Sequence, residues 1–154
     1  MPTVSIVVES KFGNTAKVAE AIAKSLMDSG FGEVKVSRIS EADAGSSAQA
    51  DVILIGSPNH VGGPTRTVKK FMKAMSKSDL SGKSMAFFDT YIGKDIGKAV
   101  RKMESDMASR NSRVRIVSPG LSLRVKSMKG PLDEGEIDKA DEFVRALSAK
   151  IKNP

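Results

Sequence analysis

An open parallel α/β sheet with helices on both faces is the fold class this sequence predicts, and three observations predict it. Short β-branched apolar runs alternate five times with stretches of helical periodicity. The runs at residues 3–8, 51–56 and 84–88 are nearly all apolar, as strands covered on both faces must be. No linker, repeat or low-complexity tract interrupts the 154 residues, so 1–154 reads as one domain of ordinary size.

The elements follow in order. TVSIVV, residues 3–8, is short and β-branched and forms the first buried strand. A helix over 16–28 puts Val18, Ala19, Ile22, Ala23 and Leu26 on one face, and Gly30 ends it. EVKVSRI, 33–39, alternates as a sheet strand does, and the small polar residues of 40–50 make a short helix or loop. DVILIG at 51–56 is a central strand. A helix over 65–75 turns Val68, Phe71, Met72 and Met75 inward. Residues 84–88 are the next buried strand, and 95–108 a helix with Ile96, Ala99, Val100, Met103 and Met107 at core spacing. A strand at 114–117 resumes at 121–125 after the Pro119-Gly120 break. The last helix, 134–151, is introduced by Pro131 and Asp133.

Composition removes several chemistries. The absence of Cys excludes disulfides, Cys-ligated zinc, iron–sulfur clusters and a thiol nucleophile, and fits a reducing compartment. His60 is the single histidine, which excludes a multi-histidine metal site. MPTVSIVVES has neither a basic leader nor a long apolar region, and no apolar run is long enough for a transmembrane segment, so a soluble, cytoplasmic protein is expected. The net charge is +7, with basic residues concentrated from Arg66 to Lys129. Solvation of helix faces is the ordinary use of such charge. It also favours acidic proteins and leaves contact with an anionic membrane open. No nucleic-acid motif accompanies it, so no specific nucleic-acid partner is expected.

Ligands of such sheets bind beyond the carboxyl ends of the strands, where strand order reverses. Three loops therefore matter: ESKFGNT (9–15), GSPNHVGGPT (56–65) and DTYIGKD (89–95). In the first, a helix starting near Asn14 or Thr15 offers unpaired N–H groups and a positive dipole end. Ser10, Asn14 and Thr15 add donors, and Gly13 lets the backbone curl close. Plain capping would use the same residue types, but a cluster of this composition after the first strand makes a phosphate cradle. The loop lacks the P-loop Gly-Lys-Ser/Thr and the Gly-x-Gly-x-x-Gly of dinucleotide sites. A phosphoacceptor receiver domain would need an acidic residue where Gly56-Ser57 stand. A mononucleotide cofactor remains.

At this point the chain resembles the flavodoxin family. Ser10-Lys11-Phe12-Gly13-Asn14-Thr15 matches that family's Ser/Thr-x-Thr-Gly-x-Thr phosphate loop at its first, fourth and sixth positions. Phe12 departs from it, standing where a hydroxyl is usual. GSPNHVGGPT resembles the segment that opens one side of the isoalloxazine, and DTYIG the segment on the other side, where a Tyr often stacks. The resemblance covers almost the whole chain and implies a flavodoxin-like, five-stranded parallel sheet of order 2-1-3-4-5. It implies FMN as cofactor. The residues carried over are Ser10, Lys11, Phe12, Gly13, Asn14 and Thr15 in the first loop. In the second they are Ser57, Pro58, Asn59, His60, Val61, Gly62 and Gly63. In the third they are Asp89, Thr90, Tyr91, Ile92 and Gly93. No catalytic or metal-ligating residue is expected. In flavodoxins a peptide of the second loop rotates when the flavin takes its first electron, which points to the Val61-Gly62 or Gly62-Gly63 peptide, because glycine makes positive φ cheap.

With FMN bound the chemistry belongs to the cofactor and the protein tunes it. The expected function is an electron-transfer protein that shuttles single electrons between redox partner proteins, with a separate reductase as donor. Typical flavodoxins are acidic and this chain is basic, so its acceptor is expected to be acidic at the docking face. Two alternatives stay open. One is an FMN-dependent oxidoreductase of the same fold acting on a quinone or tetrapyrrole precursor. The other is a non-catalytic flavodoxin-like interaction module.

Overall fold

The computed structural model describes residues 2–152. Its strands are β1 (Thr3–Val8), β2 (Glu33–Arg38), β3 (Val52–Pro58), β4 (Ser84–Tyr91), β5 (Arg115–Ile116) and β6 (Leu121–Arg124). Its helices are α1 (Asn14–Asp28), α2 (Ala44–Ser47), α3 (Arg66–Met75), α4 (Lys98–Arg110) and α5 (Lys139–Lys152). The sheet is parallel throughout, in the order β2-β1-β3-β4-β5, with β6 continuing beside β4 where β5 stops. The expected five strand positions in the order 2-1-3-4-5 are present. The fifth is two segments, because the Ser118–Gly120 break takes the chain out of the ladder between Ile116 and Leu121.

Two apolar layers sandwich the sheet. On one face α1 and α5 bury Val18, Ile22, Leu26, Val144 and Leu147 against Ile6, Leu54 and Phe88. On the other, α3 and α4 bury Val68, Met72, Met75, Met103 and Met107 against Ile53, Ile55 and Phe87. The inward residues recur at helical spacing, as the sequence requires, and each fully buried large side chain contributes about 1.5–3 kcal/mol.

Of the boundaries that differ from expectation, three have a visible reason. β4 runs on to Tyr91, so Asp89, Thr90 and Tyr91 are strand residues rather than loop. They are held because β3 also runs on, pairing Ser57 with Asp89 and Pro58 with Thr90. α4 begins at Lys98, after Gly97 at φ 71, and not at 95. α5 begins at Lys139 rather than 134, because Gly135 sits at φ 78 and the segment before it closes as turns.

β1 is the pivot of the sheet. The chain leaves it to one side for β2, then crosses to the other side for β3. The strand order therefore reverses between β1 and β3, and the carboxyl ends of these two strands open a crevice there.

Candidate functional site

A cleft of about 320 Å³ lies at that reversal point. The β1–α1 loop supplies Ser10, Lys11 and Phe12, with Asn14 and Thr15 from the start of α1. The end of β3 and the loop after it supply Pro58, Asn59, His60 and Val61, and the end of β4 with the residue after it supplies Thr90, Tyr91 and Ile92. Val125 and Met128 complete the wall. Segments far apart in sequence thus converge on one concavity, whose volume lies in the range usual for ligand sites.

The α1 end of the cleft is built as an anion site. Gly13 caps the helix at φ 89 with no side-chain cap. Ser10 Oγ reaches in from the loop and accepts the Ala16 N–H at 3.1 Å. The N–H groups of Asn14 and Thr15, at the first turn, have no acceptor within the helix. Thr15 is 2 % exposed, and its hydroxyl shares a 2.8 Å hydrogen bond with that of Thr90, which ties the helix start to β4. Phe12 is 41 % exposed, with the Lys11 ammonium 5.5 Å from its ring centroid. The sequence departure at Phe12 therefore places an apolar ring and a cation at the cleft instead of a hydroxyl.

The middle of the cleft is a tight turn. His60 N–H donates to the Gly63 carbonyl at 2.6 Å, and Gly63 N–H donates back to His60 at 3.2 Å. Between them Val61 sits at φ 52 and Gly62 at φ 75. Two successive positive φ values are the pattern of a type I′ turn. Gly62 adopts one freely; Val61, β-branched and 91 % exposed, does not. Ser57 stands beneath the turn and is fully buried. Its hydroxyl donates to the Pro58 carbonyl and accepts the Thr65 N–H at 3.1 Å. Thr65 also donates to Glu9 and caps α3 through Val68 N–H.

Some of the expected residues, Gly13, Ser57, Gly62, Gly63, Asp89 and Gly93, are not part of the cleft lining. Asp89 is fully buried and engaged elsewhere: it accepts the Val100 N–H at 3.0 Å and the Ser122 hydroxyl. Burial pushes its carboxyl up to about 6, against the bonds from Ser122 and Val100 that pull it down. Tyr91 reaches the wall but is only 7 % exposed, and its hydroxyl is pushed up first by burial and then by nearby Glu136.

Val125 and Met128 escaped sequence reasoning. They belong to a hairpin after β6, closed by the Val125–Leu132 bridge and by Lys126 N–H donating to Pro131. The hairpin rests on α1: a Cβ on Gly130 would come within 2.4 Å of the Asn14 side-chain oxygen. A lone Met in the polar run KSMKG, ahead of Gly130-Pro131, was the available signal.

The arrangement defines a class: a doubly wound α/β domain with a mononucleotide-type crevice at its strand reversal. Comparison with known proteins places it further. The flavodoxin domain model matches residues 5–125, and the chain belongs to that family. FMN is the cofactor of the family. A flavodoxin of Clostridium saccharobutylicum is 31% identical over 87 residues, covering 56% of this chain and 54% of that protein. The match thus spans about half the length of that curated relative. A short-chain flavodoxin associated with a non-canonical PDU bacterial microcompartment superposes with a TM-score of 0.81 at 19% identity, over 98% of this chain and 99% of that one. A Fusobacterium nucleatum flavodoxin bound to flavin mononucleotide gives 0.76 at 12%, over 97% and 99%. At these identities the structural likenesses establish the fold.

The residues present fit such a cofactor. No carboxylate lines the cleft, and Lys11 is beside the helix start, so a phosphate meets donors and positive charge. Phe12, Val61, Ile92 and Met128 are exposed apolar residues gathered at one cleft, which suits a flat, largely apolar ring system. Asn59 donates to Asp95 at 3.0 Å, while its Oδ1 is buried without a donor. A ligand N–H would satisfy it. Among the described residues no cluster of side chains could hold a metal ion, and no helix is long and apolar enough to cross a membrane.

Proposed function

We propose that residues 1–154 act as one FMN-binding domain that carries single electrons between redox partner proteins in the cytoplasm. The observation that carries this reading is the meeting of sequence-distant segments at the strand reversal, with the Asn14 and Thr15 N–H groups of the α1 start left without an intrahelical acceptor at one end and exposed apolar side chains around the rest. In this assignment the α1 N–H groups, Ser10 and Thr15 hold the phosphate. Phe12, Val61, Ile92, Tyr91 and Met128 enclose the ring, and Asn59 Oδ1 accepts a ring N–H. Bound FMN supplies one-electron chemistry, and the protein supplies binding, orientation and electrostatics. The cleft supports carriage over substrate turnover. It contains no carboxylate, and among the described residues His60 has no carboxylate partner to orient it as a general base.

Titration of apoprotein against free FMN, followed by flavin fluorescence, tests the site. Saturable quenching at micromolar concentration or below is expected. Thr15→Val should weaken it by about tenfold, the worth of one charge-assisted hydrogen bond. Riboflavin, without the phosphate, should bind both proteins alike. No quenching by FMN would reduce the loops to caps and turns and favour a non-catalytic interaction module.

A further inference from the structure

The positive charge is not spread over the molecule. Residues 61–113 hold 12 of the 25 Lys and Arg but only 5 of the 18 Asp and Glu, a net +7 equal to that of the whole chain; the other residues balance 13 against 13. That segment is α3, β4, α4 and their loops. β4 is buried, so the excess charge lies on the α3–α4 layer, on one side of the sheet.

α3 shows the charge undiluted. Arg66, Lys69, Lys70, Lys73 and the following Lys77 are exposed, and no acidic residue occurs from Thr65 to Ser78. Among the described residues none of the five forms a salt bridge, and neither does Lys102 of α4. Arg66–Lys70, Lys69–Lys73 and Lys73–Lys77 are like-charge pairs at i,i+4, which weaken a helix. Solvation alone is served better by alternating signs, as in α1, where Lys24 pairs with Asp28. A surface that accepts this repulsion is suited to an external anion.

The stripe is continuous with the cleft. Arg66 follows Thr65, which is bonded to Ser57 beneath the Val61 turn. On the other side of the turn, the Lys102 ammonium would lie 3.8 Å from a Cβ on Gly62. Val61 and Ile92 are exposed at this end. An apolar centre with a charged margin is the anatomy of a protein–protein contact. A bilayer fits less well, because the other exposed positions of α3 are Thr67 and Ala74, with no large apolar side chain to insert.

We infer that the α3–α4 face, centred on Arg66, Lys70, Lys73 and Lys102, is the docking surface for an acidic protein, which it brings against the Val61 wall of the cleft. This rests on the electron-carrier reading. The test uses the FMN-loaded protein, an acidic c-type cytochrome as probe and a basic one as control. At an ionic strength of about 0.01 M the Debye length is about 30 Å, and surface charge acts fully. There the triple variant Arg66→Glu/Lys70→Glu/Lys73→Glu, reduced beforehand, should reduce the acidic cytochrome at least about tenfold more slowly and the basic one faster. Amide NMR shifts induced by the acidic cytochrome should cluster at 66–77 and 94–102 and vanish in the variant. Equal rates for both proteins, with shifts elsewhere, would overturn the surface and leave electron carriage standing. Shifts clustered as expected, with no electron reaching either cytochrome, would uphold the surface and remove the carrier reading. Binding to phosphatidylserine vesicles that is lost in the variant, with no cytochrome-induced shifts, would assign the face to lipid and overturn the proposal.

Discussion

Val61 and Gly62 occupy adjacent left-handed positions at unequal cost. For an L residue that conformation costs roughly 1–2 kcal/mol, and β-branching makes it worse. Because Val61 is almost fully exposed, it gains little from packing within the protein. Val61→Gly should therefore raise unfolding free energy by about 0.5–1 kcal/mol in urea denaturation, while weakening FMN binding if the side chain covers the ring. Gly62→Ala should act in the opposite sense on stability. A Val61→Gly protein less stable than its parent would show that the turn is not strained. Asp89 offers a second residue-scale test, through pH. Its folded pKa of about 6 lies above the usual carboxyl value near 3.9, so the protonated form favours folding. That contribution is full below pH 4 and is lost as pH rises through 6; at 1.36 kcal/mol per unit it amounts to about 3 kcal/mol. Asparagine can still accept the Val100 N–H and would carry no charge. The stability of Asp89→Asn relative to the parent should therefore climb between pH 4 and 7. A difference flat across that range would mean that burial does not govern this carboxyl.

At the scale of elements, the hairpin after β6 behaves as a third wall resting on α1. Met128 is 71 % exposed, so Met128→Ala should leave the melting temperature unchanged while weakening FMN binding several-fold. Gly130→Ala drives a methyl into Asn14 and should lift the hairpin from the helix start, weakening FMN and riboflavin alike. Unchanged affinity in both variants would remove the hairpin from the site. This wall also marks where sequence reading stopped. The buried runs of β1, β3 and β4 and the inward faces of α1, α3 and α4 were legible because burial on both sides of a sheet imposes continuous apolarity, and burial of one helix face imposes its period; Ile96, expected inward, is instead exposed, because α4 begins only at Lys98. The strand reversal then located the first two loops. Asp89–Tyr91 was not legible as strand, because its polar side chains look like loop and its pairing partners, Ser57 and Pro58, are no more apolar. The hairpin was not legible because its place at the cleft depends on a close backbone approach, Gly130 on Asn14, between segments more than a hundred residues apart.

For the whole molecule, the segregated charge bears on potential as well as docking. Complete reduction of a bound flavin adds negative charge, and a positive surrounding field stabilises it. The second electron should therefore enter at a less negative potential than in flavodoxins with acidic surfaces. Each exposed cation about 12 Å away is worth roughly 0.3 kcal/mol in a water-like dielectric, and about 1.4 kcal/mol corresponds to about 59 mV for one electron. A handful of cations at that distance would thus supply some tens of millivolts before screening. At a Debye length of about 8 Å much of this disappears. The sign is therefore readable from salt alone: the potential for the second electron should become more negative as ionic strength rises from about 0.01 to 0.5 M, the reverse of an acidic flavodoxin. Arg66→Glu/Lys70→Glu/Lys73→Glu should lower it at low salt and lose most of the salt dependence. A potentiometric titration that finds this potential flat or rising with salt would show that the α3–α4 charge lies too far from the cleft to be felt, and would confine its role to the surface.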